Sequence, residues 1–124
     1  MSKFAGRAAH RKLYASAVWR KGRLAHLQAE PLCRYCKQLG ILNDGSLTAG
    51  GVVQADARRR FMVVDHVVPH RGDHGLFFDR SNWQTLCPDH HDRTKQQEEV
   101  KGYSNRRGDD GWPLDPHHPA NRGG

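Results

Sequence analysis

The chain has 124 residues, of which 36% are hydrophobic; this favours one domain with a modest core that needs a metal, disulfides or a partner for stability. Twenty Lys and Arg side chains against 13 acidic ones give a formal net charge of +7, which favours a polyanionic partner over a merely solvated basic face. No apolar run approaches the roughly 18 residues that span a bilayer, so a membrane protein is excluded, and no secretory signal is predicted.

The first predicted element is an N-terminal helix over residues 8–29. Apolar side chains recur along it at helical spacings, among them Leu13, Ala17 and Leu24. The helix is expected to end just before Pro31, because a residue that precedes proline avoids the helical region.

The middle of the chain predicts a short strand followed by a loop. The apolar run at residues 61–64 is β-branched at its end and predicts a buried strand that leads into the Asp65–His66 pair. Residues 69–79 are polar and predict a loop. Asp79 or Ser81 is expected to cap a short turn that follows it.

The C-terminal part predicts one helix and a tail. Pro88 is typical of a first helical position, so we expect a helix from Pro88 to Val100. Gly and Pro are frequent in residues 105–124, which predict an extended or disordered tail. Four large aromatic side chains are expected to anchor the core rather than to stack on bases: Trp19, Phe77, Phe78 and Trp83.

Cysteine and histidine spacing predicts a structural metal site. Cys33 and Cys36 form one knuckle, residues 33–36, and Cys87 and His90 form a second, residues 87–90. Together they supply the four tetrahedral ligands of a structural Zn²⁺, and three cysteines cannot all pair as disulfides. The ion would join the N-terminal helix to the C-terminal one. The alternative is a set of reduced cysteines in a small core with His90 on the surface.

A second set of motifs carries chemistry. In chain order they are Val64-Asp65-His66-Val67-Val68-Pro69, His70-Arg71-Gly72-Asp73 with Leu76-Phe77, Asn82-Trp83-Gln84 before Leu86-Cys87, and His91 with Lys95. In this ordered combination the chain resembles the HNH endonuclease family, in particular its small phage-encoded members, over Trp19 to Glu99. The resemblance implies an α+β fold: a small zinc-stapled domain, residues 1–104, with an N-terminal helix and a ββα-metal core over about 61–100.

The resemblance also implies roles for four residues. His66 is the expected general base, because imidazole titrates near neutrality and can accept a proton from water. Asp65 and His91 are expected to hold one catalytic divalent cation, which could be Mg²⁺, Mn²⁺, Ni²⁺ or Zn²⁺. Asn82 is expected to fix the loop that orients His66, and a direct role at the metal stays open.

One feature departs from the family. Its members usually end in Cys-x2-Cys-His, whereas this chain has His90 and His91 after Cys87. Adjacent helical residues point about 100° apart, so His90 is expected to face the zinc and His91 the reaction centre. The alternative, in which His91 completes the zinc site, remains open.

Several basic side chains are candidate contacts to DNA phosphates: Arg58, Arg59, Arg60, Arg71 and Lys95. His70 and His74 lie in the predicted loop, and we expect them to face solvent or to contact phosphate.

The resulting hypothesis is a metal-dependent endonuclease that hydrolyses DNA phosphodiester bonds by nicking or double-strand cleavage. The resemblance suggests a phage-encoded protein in the cytoplasm of a bacterial host; service beside the phage terminase in DNA packaging, mobile-element chemistry and defence all stay open. The chain is expected to be a monomer or weak dimer. The alternative is a non-catalytic zinc-ribbon module that binds nucleic acid or serves as an adaptor. Both hypotheses predict zinc and a basic surface, but only the nuclease needs Asp65, His66 and His91.

Overall fold

The protein has an α+β structure in which helices pack around a two-stranded sheet. A computed structural model describes the backbone of residues 3–101 and the side chains of residues 9–98. The helices are α1 (Lys3–Ala15), α2 (Ala17–Ala29), α3 (Arg34–Gln38), α4 (His74–Phe78) and α5 (Pro88–Lys101), and the strands are β1 (Val63–His66) and β2 (Trp83–Leu86). Short 3₁₀ turns lie at Ala57–Arg59 and Arg80–Asn82. Within residues 3–101, no helix combines the length and the apolar character needed to cross a membrane.

The N-terminal segment forms two helices, so the prediction of one helix over residues 8–29 is wrong at Ser16. The Ser16 hydroxyl donates to the Leu13 carbonyl at 2.7 Å and accepts from the Trp19 N–H at 3.2 Å. The side chain therefore ends α1 and caps α2, because its oxygen satisfies a backbone N–H that has no partner within the helix. The predicted end of the helical segment is correct, since α2 ends at Ala29.

The sheet brings together two of the sequence motifs: β1 contains the Asp65–His66 pair, and β2 contains Trp83 and Gln84. β1 and β2 pair antiparallel, with Asp65 opposite Gln84 and His66 opposite Trp83. The strand predicted at residues 61–64 is displaced, because β1 begins two residues later and includes the Asp–His pair. Every residue of β2 is buried, since α2 and α5 each pack against both strands.

The predicted loop over residues 69–79 contains a helix that the sequence did not reveal. Asp73 accepts a hydrogen bond from the Leu76 N–H at 2.9 Å and so caps α4. Asp79, one of the two predicted caps, accepts from the Ser81 N–H at 3.0 Å and caps the turn before β2. The helix predicted from Pro88 begins there as α5. The predicted tail at 105–124 and the domain boundary at residue 104 lie outside the described residues.

The core consists of two clusters that meet at Leu27. The cysteine cluster contains Cys33, Cys36, Ala49, Met62, Leu86 and Cys87. The aromatic cluster contains Leu13, Trp19, Val64, Phe77 and Trp83, and Phe78 packs against it. The predicted role of the four aromatic side chains as core anchors is confirmed, with Phe78 only partly buried. Gly22 is required for this packing, because a Cβ there would lie 2.7 Å from Cη2 of Trp83.

Candidate metal centre and reaction pocket

Three cysteines and one histidine converge in the interior. The His90 Nδ1 atom lies 3.5 Å from the sulfurs of Cys33 and Cys36 and 3.3 Å from that of Cys87. The Cys36 and Cys87 sulfurs are 3.9 Å apart, and all four residues are buried. The burial of His90 contradicts the alternative in which it lies on the surface.

These separations fit a tetrahedral metal. Zinc with bonds of about 2.3 Å to sulfur and about 2.05 Å to nitrogen separates two sulfurs by about 3.8 Å and a sulfur from a nitrogen by about 3.6 Å. The observed values lie within 0.3 Å of these, whereas a disulfide bond is about 2.05 Å long, and all three cysteines are free thiols. The predicted cluster of Cys33, Cys36, Cys87 and His90 could therefore hold a structural metal such as zinc.

A buried asparagine supports the cluster. The Asn43 Nδ2 atom donates to the Cys36 sulfur at 3.6 Å and to the Leu47 carbonyl at 2.9 Å. Groups that hydrogen-bond to metal ligands orient them and moderate their charge. Sequence reasoning treated residue 43 only as the start of a loop, because nothing in the Asn-Asp-Gly-Ser stretch shows that its first amide points inward.

The thiols also interact with one another. A hydrogen bond from Cys87 lowers the pKa of Cys33 to about 4, and the same contact together with burial raises the pKa of Cys87. The cluster therefore favours one thiolate at neutral pH. Burial also raises the pKa of Cys36, and metal ligands of this type must be deprotonated, so metal binding would release protons from the other two thiols.

The three consecutive arginines at residues 58–60 have different surroundings. Arg59 donates to Asp89 at 2.9 Å and to Asp92 at 3.0 Å, which joins the loop before β1 to the first turns of α5. Two carboxylates already neutralise this charge, so the predicted phosphate contact by Arg59 is not favoured. Arg60 donates through Nε to a backbone carbonyl, and Arg58 is exposed.

A separate pocket of about 260 Å³ opens between β1, α1 and α5. It brings together five residues with predicted roles: Asp65, His66, Arg71, His91 and Lys95. Five more line it: His10, Tyr14, Pro69, His70 and Glu98. Helix geometry thus separates the adjacent histidines as expected, since His90 faces the cysteines and His91 lines the pocket. The Cys/His cluster is the one compact group of three or more potential ligands among the described residues, so a second metal site stays a prediction.

The His66 ring is oriented by a hydrogen bond to a backbone carbonyl and by stacking on an aromatic ring. Its Nε2 atom lies 3.0 Å from the Phe77 carbonyl oxygen. A carbonyl can only accept, so Nε2 carries the hydrogen, and Nδ1 is the basic nitrogen of the neutral ring. The ring stacks on Trp19 with centroids 5.4 Å apart and planes inclined by 18°. The orientation of His66 is therefore set by groups that are themselves buried.

Asn82 fastens the loop beside His66. Its Oδ1 accepts from the Val68 N–H at 2.9 Å, and its Nδ2 donates to the carbonyls of Val68 and Leu76 at 3.0 and 3.1 Å. Leu76 directly precedes Phe77, whose carbonyl orients His66. One buried amide thus holds both ends of the segment between β1 and α4.

His70 is buried, which contradicts the expectation that it faces solvent; the alternative, a contact to phosphate, stays a prediction. The Gly72 N–H donates to its Nδ1 atom at 3.0 Å, so the neutral ring carries its hydrogen on Nε2. Nε2 lies 3.1 Å from the Tyr14 hydroxyl and donates to it. Burial, with smaller contributions from His66 and His10, lowers the pKa of His70 to about 4. The ring is therefore neutral at pH 7, whereas His74 is exposed as expected.

Tyr14 receives this hydrogen bond and keeps its own proton. Burial and the nearby carboxylates of Asp65 and Glu98 raise the pKa of Tyr14 to about 12. Because the oxygen already accepts from His70, the hydroxyl hydrogen can be donated to a third group in the pocket. Sequence reasoning missed this residue, since a tyrosine on the face of a helix has no motif of its own.

Arg71 lies at the rim of the same pocket in an uncommon backbone conformation. Its φ is +51°, in the left-handed region that residues other than glycine, asparagine and aspartate rarely adopt. Such residues persist where their surroundings hold them, often at functional sites. The conformation keeps a cationic side chain beside the pocket.

Comparison with known proteins adds no assignment, because no protein-family model, curated protein or solved structure matches this chain. The pocket is therefore judged on its own chemistry. Two carboxylates, four imidazoles, a phenol that can donate and two cations surround one small cavity. Such a set can bind an anionic group and accept a proton from water.

Proposed function

We propose that this chain is a metal-dependent endonuclease of the HNH type that hydrolyses phosphodiester bonds of DNA. The observation that supports this best is the convergence of Asp65, His66 and His91 on one pocket, with Asn82 holding the adjacent loop by three hydrogen bonds. In this proposal β1, β2 and α5 correspond to a ββα-metal core.

The reaction would be an in-line displacement at phosphorus. The His66 Nδ1 atom takes a proton from water as the new P–O bond forms. The bond to the 3′ oxygen breaks, and this oxygen takes a proton from solvent water, which leaves a 5′-phosphate and a 3′-hydroxyl. Asp65 and His91 supply a carboxylate oxygen and an imidazole nitrogen, donors that suit Mn²⁺, Ni²⁺ or Zn²⁺ and, through the oxygen, Mg²⁺. A divalent cation bound there would neutralise charge on the phosphate and on the leaving oxygen.

Other residues of the pocket would bind the phosphate. Arg71 and Lys95 line it and can contact anionic oxygens. Tyr14 adds a neutral donor whose direction is set by the hydrogen bond from His70. The net charge of +7 is consistent with a DNA partner. Service beside a phage terminase in packaging rests on the resemblance alone and stays a prediction.

A plasmid-nicking assay tests the proposal. Zinc-loaded protein is incubated with supercoiled DNA and Mg²⁺, Mn²⁺ or Ni²⁺, with EDTA as the blank. His66→Ala should retain its zinc and its fold but cut at least about 10²-fold more slowly, the usual scale for a general base. Full activity in His66→Ala would contradict the assigned role. No cleavage with any metal would favour the zinc-ribbon module, a candidate that the Cys/His cluster by itself supports.

The role of Tyr14 has its own test in the same assay. Tyr14→Phe keeps the ring against Trp19 and Phe77, whose centroids lie 5.3 and 4.9 Å away, and removes only the hydroxyl. We expect kcat to fall about tenfold, the equivalent of about 1.4 kcal/mol for one lost hydrogen bond in the transition state. An unchanged kcat, with thermal stability also unchanged, would show that the hydroxyl does not contact the reacting phosphate.

A further inference from the structure

A second cavity lies apart from the pocket that contains Asp65, His66 and His91, which we call the reaction pocket. It has a volume of about 500 Å³ and shares no lining residue with that pocket. Its walls come from the end of α2, from α3 and the segment that leads into it, from the Arg80–Asn82 turn and from β2. We call it the basic cleft, because three of its lining residues are cationic: Arg34, Lys37 and Arg80.

The positive charges of the basic cleft are not neutralised by ion pairs within the described part of the fold. Arg34, Lys37 and Arg80 form no ion pair among the described residues. Arg59, by contrast, is held by two carboxylates. One acidic residue, Glu30, lines the cleft, so the lining keeps an excess of positive charge.

Two of the cleft residues are positioned by contacts with buried rings. The Arg80 guanidinium carbon lies 5.9 Å from the centroid of the Trp83 ring, and Trp83 is fixed by donating to the Phe77 carbonyl at 2.8 Å. Glu30 lies with a carboxylate oxygen 3.2 Å from Nε2 of the buried His26. That contact is close enough for an ion pair, but within the described residues Nε2 has no partner with hydrogen-bond geometry.

The size and lining indicate the class of ligand. About 500 Å³ is more than an inorganic anion fills and is within the usual range for a ligand of nucleotide size. Ala29, Pro31 and Leu32 give the cleft an apolar wall that suits a sugar or a base. Arginine side chains bind phosphate through two parallel donors, and two of the three cations here are arginines.

We propose that the basic cleft binds a nucleotide unit, with its phosphate on Arg34, Lys37 and Arg80. The ligand is a backbone segment of a polynucleotide or a free nucleotide, which share this chemistry. The cleft shares no lining residue with the pocket that contains His66, so a strand bound in the cleft adds affinity without touching the proposed reacting groups. The proposal does not depend on cleavage, so its failure and that of the proposed nuclease are distinguishable.

Binding measurements with matched variants test the proposal. The full zinc-loaded chain carries His66→Ala to prevent cleavage, and a fluorescent single strand and its duplex are titrated by anisotropy between about 50 and 200 mM salt. The cleft variant is Arg34→Ala, Lys37→Ala, Arg80→Ala. The control removes the same types of charge from exposed positions outside both cavities: Arg11→Ala, Lys12→Ala and Arg20→Ala.

The cleft variant should bind DNA at least about tenfold more weakly, and its salt slope should decrease by about 1 for each lost phosphate contact, whereas the control should change little. Equal losses in both variants would mean that only net charge matters and would overturn the proposal, as would no loss in either. If the triple variant loses zinc, the exposed single changes Lys37→Glu and Arg80→Glu carry the same comparison.

A second arm identifies the source of the phosphate. Deoxyadenosine 5′-monophosphate is titrated while the ring signals of His26 and the indole N–H of Trp83 are followed by NMR. Saturable shifts that the cleft variant abolishes indicate a free nucleotide as ligand. Absent shifts, together with the selective loss of DNA affinity, indicate a polynucleotide strand. Absent shifts without that loss refute the proposal.

Discussion

Removal of the Asn82 amide should destabilise the fold and release His66. Asn82 is 7% exposed and makes three side-chain hydrogen bonds, at 2.9 Å, 3.0 Å and 3.1 Å, to the backbone of Val68 and Leu76. Asn82→Ala removes all three. Asn82→Asp keeps the bond from the Val68 N–H but places a second carboxylate oxygen against two carbonyl oxygens, so it should be no better than alanine.

The expected magnitude follows from the number of bonds. A buried hydrogen bond contributes about 1 kcal/mol net, so Asn82→Ala should lower the free energy of unfolding by about 3 kcal/mol. For a domain of about 100 residues each kcal/mol shifts Tm by about 4–8 °C, which gives a decrease of roughly 12–24 °C. The backbone groups left behind are partly buried, so water can recover only part of this loss.

The assay combines urea unfolding of the zinc-loaded protein with ¹⁵N NMR of the His66 ring. The native protein should show the hydrogen of His66 on Nε2, and both variants should weaken that preference, because α4 and the Phe77 carbonyl are no longer held. A loss of stability below about 1 kcal/mol, with the His66 tautomer unchanged, would refute the reasoning. Zinc content is the control, since the side-chain hydrogen bonds of Asn82 go to Val68 and Leu76 and not to the Cys/His cluster.

The remaining predictions concern the metal, the close approach of α2 and the pH dependence. His90→Ala should lose the bound zinc and most of the thermal stability, whereas His91→Ala should retain one zinc per chain in elemental analysis; the reverse result would exchange their roles. Gly22→Ala should lower the free energy of unfolding by about 1–3 kcal/mol despite the better helix propensity of alanine, because its Cβ would lie 2.7 Å from buried Trp83; a more stable variant in urea unfolding would contradict this. The pKa of His70 falls from 6.5 to about 4 on folding, so the unfolded chain binds the extra proton, and stability is lost as pH falls from about 6.5 to about 4. His70→Gln should reduce that loss by roughly 2–3 kcal/mol in urea unfolding at the two pH values; identical losses in both proteins would contradict it.

Local signals in the sequence predicted some elements well. Pro88 marks the start of α5 because a proline N–H is not needed in the first turn, and the apolar run before the Asp–His pair locates β1 within two residues. The break at Ser16 was missed because apolar spacing continues through it, so that only the hydroxyl contacts with Leu13 and Trp19 reveal the end of α1. α4 was missed because it is five residues long and depends on the Asp73 cap and on burial of Phe77.

The candidate site was predictable where the spacing of metal-ligand residues along the chain is typical of a metal site. The spacing of Cys33, Cys36, Cys87 and His90 implied a metal cluster, and these residues do converge. The partners that orient the reaction pocket have no such signature, because their positions depend on the path of the whole chain. The hydrogen on His66 is fixed by a backbone carbonyl, and Tyr14 reaches His70 from 56 positions away. Only tertiary structure brings such groups together.

His90 and His91 are adjacent in α5, but His90 belongs to the Cys/His cluster and His91 lines the pocket. The number of residues from Cys87 to Lys95 is therefore critical. One added residue turns a helix by about 100° and lengthens it by about 1.5 Å. An insertion between His90 and His91 would therefore turn His91 and Lys95 away from the pocket and leave the Cys/His cluster intact. In related or redesigned chains, the unbroken spacing from Cys87 to Lys95 is thus a stricter criterion for an intact site than the identity of the residues between them.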